Sequence, residues 1–351
     1  MEQLRVGAIG CGYWGPNLIR NFIEIAESEL VAIADLQESQ LAYIQNRFPK
    51  IQHATTDYHD FFGMNLDAVV IATPPHTHYA IAKECLMNGL SVLVEKPITL
   101  ESEHARELSE LAAAKGLVLM VGHTFEYNSA VHALKGMIDS GELGDIYYID
   151  AVRASLGLFQ TKANVIWDLA PHDISIMRYL LGEDPESVRA HGVACVQEGT
   201  VDVAYMTMMF PKNVMAHIRT SWLDPSKTRK ITVVGSKKMV IYDDVESLGK
   251  IKVFDKGVKA IRRTDTFGDW HFAYHYGDQV IPYIRFEEPL RQQCLHFIEC
   301  VQEGKTPRSD GYSGMNVVKV IEAAQYSLEN GGGTVELAAY QPVRLNGQGS
   351  H

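Results

Sequence analysis

The sequence has few cysteines and no long hydrophobic run, which argues against several classes of protein. Its five cysteines, at positions 11, 85, 195, 294 and 300, form no CxxC or other close metal-ligand spacing. An odd, scattered set of cysteines is typical of reduced, buried thiols in a cytoplasm. No apolar run approaches the roughly 20 residues of a membrane helix, and the N-terminus does not resemble a signal peptide. We therefore expect a soluble, cytoplasmic protein without a bound metal or a membrane partner.

Positive charge is also scarce. The chain has 32 Lys and Arg against 43 Asp and Glu, a net charge of −11. This balance disfavours nucleic-acid binding, which needs a clustered basic patch, and anchoring to anionic lipid. What is present is an ordinary globular composition, 46% hydrophobic and 21% charged over 351 residues. At about 150 residues per domain, that length predicts two domains.

The first third of the chain alternates between strand-like and helix-like patterns. Leu4–Ile9 and Leu30–Ala34 are short apolar runs, and apolar residues at helical spacing lie between them from Ile19 to Ala26. Residues 67–72 form another apolar run, as expected of a strand covered on both faces. Strands that alternate with helices predict a parallel sheet. We therefore expect an α/β Rossmann domain over residues 1–122.

The pattern changes after Gly122. A helix is expected around Asp168–Leu181, followed by strand-like runs from Ser187 to Phe254 without intervening helices. Consecutive strands predict a large, mainly antiparallel open sheet, and two amphipathic helices, within 290–301 and 317–328, close the chain. Residues 123–345 are therefore expected to form an α+β domain that binds substrate and forms oligomers. Residues 346–351 are expected to be a frayed tail.

A glycine-rich motif, GCGYWG, follows the first predicted strand. It opens a predicted helix, and Asp35 comes twenty residues after its last glycine, the context expected of a dinucleotide site. Gly10 allows the tight turn, Gly12 lets backbone N–H groups approach a pyrophosphate, and Gly15 lets helix and strand pack closely. The alternative, a glycine-rich turn with no ligand, leaves this context unexplained.

Asp35 also bears on which dinucleotide is bound. A carboxylate there accepts hydrogen bonds from ribose hydroxyls and repels a 2′-phosphate, and Leu36 provides no positive charge. NAD is therefore favoured over NADP. Thr73–His78 follows the fourth strand, at the sheet edge where ligands bind; it is also suited to a rigid turn that starts a helix. The candidate cofactor residues are Gly10, Gly12, Tyr13, Trp14, Gly15, Asp35, Leu36, Thr73, Pro74, His78, Glu95 and Lys96.

Three residues are candidates for proton transfer and charge stabilisation. Lys96 follows the fifth strand, where an ammonium could hydrogen-bond a reacting oxygen near a nicotinamide; the alternative is an ordinary surface lysine. Asp168 and His172 are four residues apart, so on a helix they share one face. From spacing alone, a helix-capping aspartate and a buried core histidine are the favoured interpretation of this pair.

Five motifs occur in order: GCGYWG at Gly10–Gly15, ATPP at Ala72–Pro75, EKP at Glu95–Pro97, GHTFEYN at Gly122–Asn128 and DLAPHD at Asp168–Asp173. In their order and spacing, the chain resembles the Gfo/Idh/MocA oxidoreductases, the family of glucose–fructose oxidoreductase and inositol 2-dehydrogenase. The resemblance covers the first domain and the start of the second, and is looser up to about residue 330. It implies that His172 is the catalytic acid/base, within the D-x-x-x-H element of family dehydrogenases. Family ketoreductases often have a tyrosine there.

The resemblance implies an NAD-dependent dehydrogenase that oxidises a ring secondary alcohol. The substrate would be a sugar, a nucleotide sugar (for example at C3 of a UDP-N-acetylhexosamine) or a cyclitol. One alternative is a ketosugar reductase running in the opposite direction. An alternative of another class is a non-catalytic NAD-binding sensor or scaffold, which would not need Lys96, Asp168 and His172 together. The resemblance also implies a homodimer or homotetramer.

The sequence departs from the family pattern around the substrate pocket. Ser129 replaces a frequent proline, and the usual glycine-rich segment before Asp168 is missing. These departures affect substrate identity rather than reaction class. The candidate substrate residues are Lys96, Tyr127, Arg153, Trp167, Asp168 and His172. Trp270–Tyr276, rich in aromatic and histidine residues, is expected to be a loop that shapes the pocket or a subunit interface.

Overall fold

The computed structural model describes residues 3–160, 163–262 and 270–341. Within these residues the chain forms two compact units. The first unit falls within Met1–Tyr127 and Glu287–Lys319, and the second within Asn128–Phe286 and Val320–His351. The sequence analysis assigned residues 287–319 to the second domain, whereas the structure groups them with the first.

The first unit contains a six-stranded parallel sheet. Its strands are β1 (Leu4–Ile9), β2 (Ser28–Ala34), β3 (His53–Thr55), β4 (Ala68–Ile71), β5 (Ser91–Val94) and β6 (Leu119–Val121), in the order β3-β2-β1-β4-β5-β6. Its helices are α1 (Gly15–Glu24), α2 (Glu38–Arg47), α3 (Pro75–Met87), α4 (Ser102–Lys115) and α7 (Pro289–Glu303), with 3₁₀ turns at Tyr58–Gly63 and Thr124–Tyr127. This strand order is that of a dinucleotide-binding Rossmann fold, so the predicted α/β fold is confirmed.

Apolar burial explains why α7 belongs to the first unit. Phe22 on α1 and Phe297 on α7 are both fully buried, and their rings meet edge to face with centroids 6.3 Å apart. Leu290 and Cys294, on the same face of α7, lie in the same hydrophobic core as Val6 of β1. The amphipathic pattern predicted this helix but could not predict which core it covers, because any apolar core accepts such a face.

The second unit contains a nine-stranded sheet. Its strands are β7 (Ile146–Ala154), β8 (Ser187–Val193), β9 (Val203–Phe210), β10 (Val214–Ser221), β11 (Thr228–Gly235), β12 (Met239–Asp243), β13 (Ile251–Arg262), β14 (Trp270–Val280) and β15 (Val335–Glu336). The order is β14-β13-β12-β11-β7-β10-β9-β8-β15, and only β7 and β10 pair in parallel. Its helices are α5 (Ser129–Asp139) and α6 (Val165–Leu181), and α8 (Gly311–Glu329) begins in the first unit and ends in the second. The predicted mainly antiparallel sheet is confirmed.

The two faces of this sheet differ. Alternate residues of β9 and β10 are buried on the face where α6 packs. Tyr148, Tyr205 and Met215 lie on the opposite face and are exposed. Register places Met215 beside Tyr148, so these side chains form part of one surface. Among the described residues of this unit, helices therefore cover only one face of the large sheet.

The prediction of a loop at Trp270–Tyr276 was wrong. These residues begin β14, which pairs with β13 at the edge of the sheet. Aromatic residues favour strands, and the aromatic residues at 270, 272, 274 and 276 alternate with His271, Ala273 and His275, a period-two pattern that is typical of a strand. Phe272, Tyr274 and Tyr276 are exposed. Separately, no helix among the described residues is long and apolar enough to cross a membrane.

Candidate active site

The turn between β1 and α1 has the geometry that its three glycines predict. Gly10 has φ +96°, and a Cβ there would lie 2.7 Å from the carbonyl carbon of Ala72. A Cβ on Gly15 would overlap the carbonyl oxygen of Gly10, whereas a Cβ on Gly12 would meet no atom within 4 Å. Two of the glycines are thus required by the protein itself. Gly12 leaves open space beside the turn, as a closely approaching ligand needs.

Asp35 supports this turn directly. One oxygen of its carboxylate accepts a hydrogen bond from the backbone N–H of Cys11 at 2.7 Å, and the other accepts one from Gln37 at 2.9 Å. The side chains of Tyr13 and Leu36 are almost fully exposed at the ends of the first two strands. The carboxylate is therefore fixed against the glycine turn, and its contact with a ribose stays a prediction.

Trp14 and Glu95 connect the turn to the end of β5. The indole N–H of Trp14 donates to Glu95 Oε1 at 2.7 Å, and the backbone N–H of Lys96 donates to Glu95 Oε2 at 3.2 Å. Burial raises the pKa of Glu95 to about 7, although these two donors favour its ionised form. A Cβ on Gly122 would lie 2.9 Å from this carboxyl group, so glycine is required beside it. Lys96 therefore directly follows a carboxylate whose two oxygens both accept hydrogen bonds.

His78 connects the ends of β4 and β5. Its Nδ1 lies 2.8 Å from the carbonyl oxygen of Pro97, and its Nε2 lies 2.8 Å from that of Thr73. Burial lowers the pKa of His78, and its two carbonyl contacts oppose that shift only in part. Pro74 caps α3 directly after Thr73. In this structure His78 holds two loops of the protein together, and its predicted cofactor contact stays a prediction.

Asp168 and His172 lie on α6, one helical turn apart. The helix begins earlier than the sequence predicts, because Asn164 is its N-cap and accepts hydrogen bonds from the backbone N–H groups of Ile166 and Trp167. Asp168 is therefore not the helix cap. Its side chain instead accepts a hydrogen bond of 2.9 Å from the indole N–H of Trp222.

Arg153 lies on β7 and is almost fully buried. Its Nε and Nη2 donate to the two carboxylate oxygens of Asp173 at 2.8 and 2.9 Å. Asp173 is also buried and directly follows His172, so this bidentate pair joins the helix of the candidate catalytic residues to the sheet. The pair restrains α6 next to His172. A contact of Arg153 with substrate stays a prediction.

The other two candidate pocket residues have different surroundings. Tyr127 is buried in the core of the first unit, where its hydroxyl lies 3.1 Å from Ser309 Oγ. Trp167 is half-buried in the first turn of α6. Tyr127 therefore packs in the core and Trp167 precedes Asp168 on α6, and the contacts of both residues with substrate stay predictions.

Two residues that hold the candidate catalytic helix were not predicted from the sequence: Trp222, which follows β10, and Asp173, which lies on the helix itself. Trp222 lies 54 residues from Asp168 along the chain, and no spacing connects the two. Asp173 belongs to a motif that the sequence analysis quoted, but its partner Arg153 lies on another element. Among the described residues, no cluster of three or more His, Cys, Asp or Glu could hold a metal ion.

Comparison with known proteins identifies the family. A family model described as an oxidoreductase family with an NAD-binding Rossmann fold matches residues 4–123, and a GFO/IDH/MocA C-terminal domain model matches residues 131–241. The UDP-N-acetylglucosamine 3-dehydrogenase of Acidithiobacillus ferrooxidans is 30% identical over 66% of this chain and 72% of its own length. The NAD(+)-dependent scyllo-inositol 2-dehydrogenase of Bacillus subtilis is 25% identical over 94% of this chain and 95% of its own length.

A solved structure agrees on the fold. A probable dehydrogenase from Thermotoga maritima superposes with a TM-score of 0.80 at 22% identity, covering 95% of this chain and 99% of that protein. The two family models together match most of the chain. The first includes the glycine turn, and the second includes the candidate catalytic helix. The protein therefore belongs to the Gfo/Idh/MocA family and is an NAD-dependent oxidoreductase.

Proposed function

We propose that this protein is a dehydrogenase that oxidises a ring secondary alcohol of a sugar, nucleotide sugar or cyclitol and transfers the hydride to NAD. The observation that carries the proposal is the pair of Asp168 and His172, one turn apart on α6, in a chain that also has Lys96 at the end of a Rossmann strand. A sensor that only bound NAD would not need this set of proton-transfer residues. The relatives named above act on a UDP-sugar and a cyclitol.

In the proposed reaction each residue has one chemical role. His172 removes the hydroxyl proton, a role that an imidazole can fill near neutral pH. Lys96 stabilises the alkoxide oxygen that develops as hydride leaves the carbon. Asp168 positions the substrate and the imidazole. The Gly10–Gly15 turn, Asp35 and the N-terminus of α1 would hold the diphosphate and ribose of NAD, whose nicotinamide would supply the hydride acceptor.

A substrate panel tests this proposal. Purified protein is mixed with NAD and, in turn, UDP-N-acetylglucosamine, UDP-N-acetylgalactosamine, myo-inositol, scyllo-inositol and glucose, and NADH is followed by absorbance. We expect one of these classes to reduce NAD and His172→Ala to abolish most of that signal. NAD binding by calorimetry without turnover of any substrate would instead favour the non-catalytic sensor. Mass spectrometry of small molecules retained through purification would extend the panel.

We also propose that a second copy of the chain covers the helix-free face of the nine-stranded sheet. Tyr148, Tyr205 and Met215 are exposed on that face, and large exposed apolar patches are rare on monomers. Sedimentation equilibrium at micromolar concentration should give a dimer or tetramer of the 39.2 kDa chain. Met215→Lys should weaken the assembly, whereas Met87→Lys, at an exposed methionine of the first unit, should not. A wild-type monomer would refute the proposal.

A further inference from the structure

Trp222 occupies a rigid position directly after β10. Its ring is almost fully buried, and its centroid lies 5.6 Å from that of Phe159. Its backbone N–H donates to the carbonyl of Asp202 at 3.0 Å, and its own carbonyl accepts from the N–H of Gly157 at 2.9 Å. Both sides of its peptide backbone are therefore tied to neighbouring segments. These backbone contacts, together with the burial of the ring, restrain the position of the indole N–H.

The helix beside Trp222 lacks one of its own hydrogen bonds. Pro171 lies inside α6, between Asp168 and His172. A proline has no N–H, so it cannot donate to the carbonyl of Trp167 one turn earlier. A helix interrupted in this way depends more on contacts with its neighbours to keep its side chains in place. Asp168 has such a contact, since the Trp222 indole N–H lies 2.9 Å from its Oδ2.

We propose that Trp222 is a positioning residue that holds the Asp168 carboxylate in its working orientation. The inference rests on the role of Asp168 in the proposed function. An ionised carboxylate has about four acceptor sites, so a donor on one oxygen selects a rotamer and leaves acceptor sites for a substrate hydroxyl or an imidazole. A phenylalanine would fill similar space but would donate nothing. If Trp222 only packs the core, its N–H should not matter to the reaction.

The first test measures the hydrogen bond without needing turnover. In full-length protein with ¹⁵N-labelled tryptophan, the Trp222 indole resonance is assigned by its loss in Trp222→Phe. Asp168→Asn replaces a charged acceptor with a neutral one, so the resonance should move upfield. Asp184→Asn is the matched control, because Asp184 is an exposed carboxylate just beyond α6 that pairs with Arg178. A Trp222 resonance that Asp168→Asn leaves in place would overturn the proposal.

The second test measures the kinetic consequence with NAD and whichever panel substrate reduces it. Trp222→Phe, and site-specific replacement of Trp222 by benzothienylalanine, which exchanges only the N–H for sulfur, should lower single-turnover hydride transfer about 10- to 100-fold. The Kd for NAD should stay within about twofold. Tyr242→Phe is the control, since it removes a hydrogen bond of 3.0 Å from another buried aromatic residue of the same sheet. The benzothienyl variant keeps the test decisive if Trp222→Phe folds poorly.

A double variant separates positioning from packing. If Trp222 acts through Asp168, then adding Trp222→Phe to Asp168→Asn should cause little further loss, because coupled residues are not additive. Losses that multiply would mean that Trp222 acts independently of Asp168 and would overturn the proposal. A wild-type protein inactive on every substrate would count against the proposed function, and the indole resonance would still decide whether Trp222 binds the Asp168 carboxylate.

Discussion

The two units build their parts of the candidate site in different ways. In the first unit the main features are backbone geometry, with Gly10 in a left-handed conformation and Gly12 open to a ligand beside the N-terminus of α1. In the second unit they are side chains on one helix, and residues of the sheet hold that helix in place, Trp222 at Asp168 and Arg153 at Asp173. A backbone turn can be recognised from a short motif. A helix held by distant side chains cannot, because its partners have no fixed spacing.

The largest expected effect is a loss of turnover with little change in cofactor binding. His172→Ala should lower turnover by about 10²–10⁴-fold, the range for a positioned acid or base. Lys96→Ala should be at least as damaging, because it removes charge stabilisation of the developing alkoxide. Both variants keep the glycine turn and Asp35, which are expected to hold the diphosphate and ribose, so the Kd for NAD should change little; because Lys96 is also a candidate cofactor residue, any larger change is expected for Lys96→Ala. Single-turnover hydride transfer across pH, with NAD titrated by calorimetry, measures both.

One result would reassign the base. If His172→Ala reacts at nearly the wild-type rate with the same pH dependence, then this histidine takes no part in the mechanism. The base would then have to be Lys96 in its neutral form. Asp168→Asn provides a graded comparison, since an aspartate that only orients its neighbours should cause the milder loss.

The next effect is on the stability of the second unit. Arg153→Met leaves the Asp173 carboxylate buried without its bidentate partner, and breaking a buried pair in this way costs about 3–5 kcal/mol. Arg106→Met is the control, because Arg106 pairs with Glu103 and Glu110 on an exposed helix surface, where such pairs contribute about 0–1 kcal/mol. Urea unfolding followed by circular dichroism compares the two. Equal losses would mean that the Arg153–Asp173 pair does little to hold α6.

Particular residues show how far the sequence predicts this molecule. The parallel Rossmann sheet followed from the alternation of strands and helices, and the tight turn at Gly10 and the close packing at Gly15 followed from a local motif; the structure agrees with each. The amphipathic faces of α7 were also evident, but its place in the first unit depends on Phe297 meeting Phe22, a contact between distant parts of the chain. Periodicity reports that a face is buried and not what covers it.

The same distinction holds for the candidate site, where motifs predicted some residues and contacts between distant parts of the chain could not be predicted. The positions of Lys96 and His172 could be proposed from motifs, whereas the buried ion pair between Arg153 and Asp173 could not. An arginine on a strand gives no sequence sign of which face its side chain takes when the alternation is imperfect. The start of α6 was missed because Asn and Asp are equally good helix caps, so the sequence did not show that Asn164 rather than Asp168 accepts the first backbone N–H groups.

Glu95 tests whether the first unit also depends on a buried side chain. Burial raises its pKa from 4.5 to about 7. Its contribution to stability is therefore fully present below pH 4.5 and is lost as pH rises through 7. Glu95→Gln does not titrate, so wild type should lose stability relative to this variant between pH 5 and pH 8, by about 2 kcal/mol or less. Urea midpoints at the two pH values measure the difference, and a constant difference would show that Glu95 ionises normally.

The smallest expected effect separates glycines that the fold needs from a glycine that the ligand needs. A Cβ on Gly12 would meet no protein atom within 4 Å, and Gly12 does not have positive φ. Gly12→Ala should therefore change unfolding free energy by less than about 0.5 kcal/mol. The added methyl group would occupy space that the diphosphate needs, so the Kd for NAD should rise about tenfold, which corresponds to about 1.4 kcal/mol.

Gly10→Ala should behave differently. Gly10 has φ +96°, and a Cβ there would lie 2.7 Å from the carbonyl carbon of Ala72, so any side chain at this position is strained. The variant should lose about 1–3 kcal/mol of stability as well as NAD affinity. Gly63→Ala is the matched control, since Gly63 lies in the same unit with open space at its Cβ and is expected to change neither quantity. For the three variants, calorimetric titration measures the Kd for NAD, and urea unfolding measures the free energy of unfolding. If Gly12→Ala binds NAD as tightly as wild type, then the open space beside Gly12 is not where the diphosphate lies, and the cofactor contacts of the first unit must be reassigned.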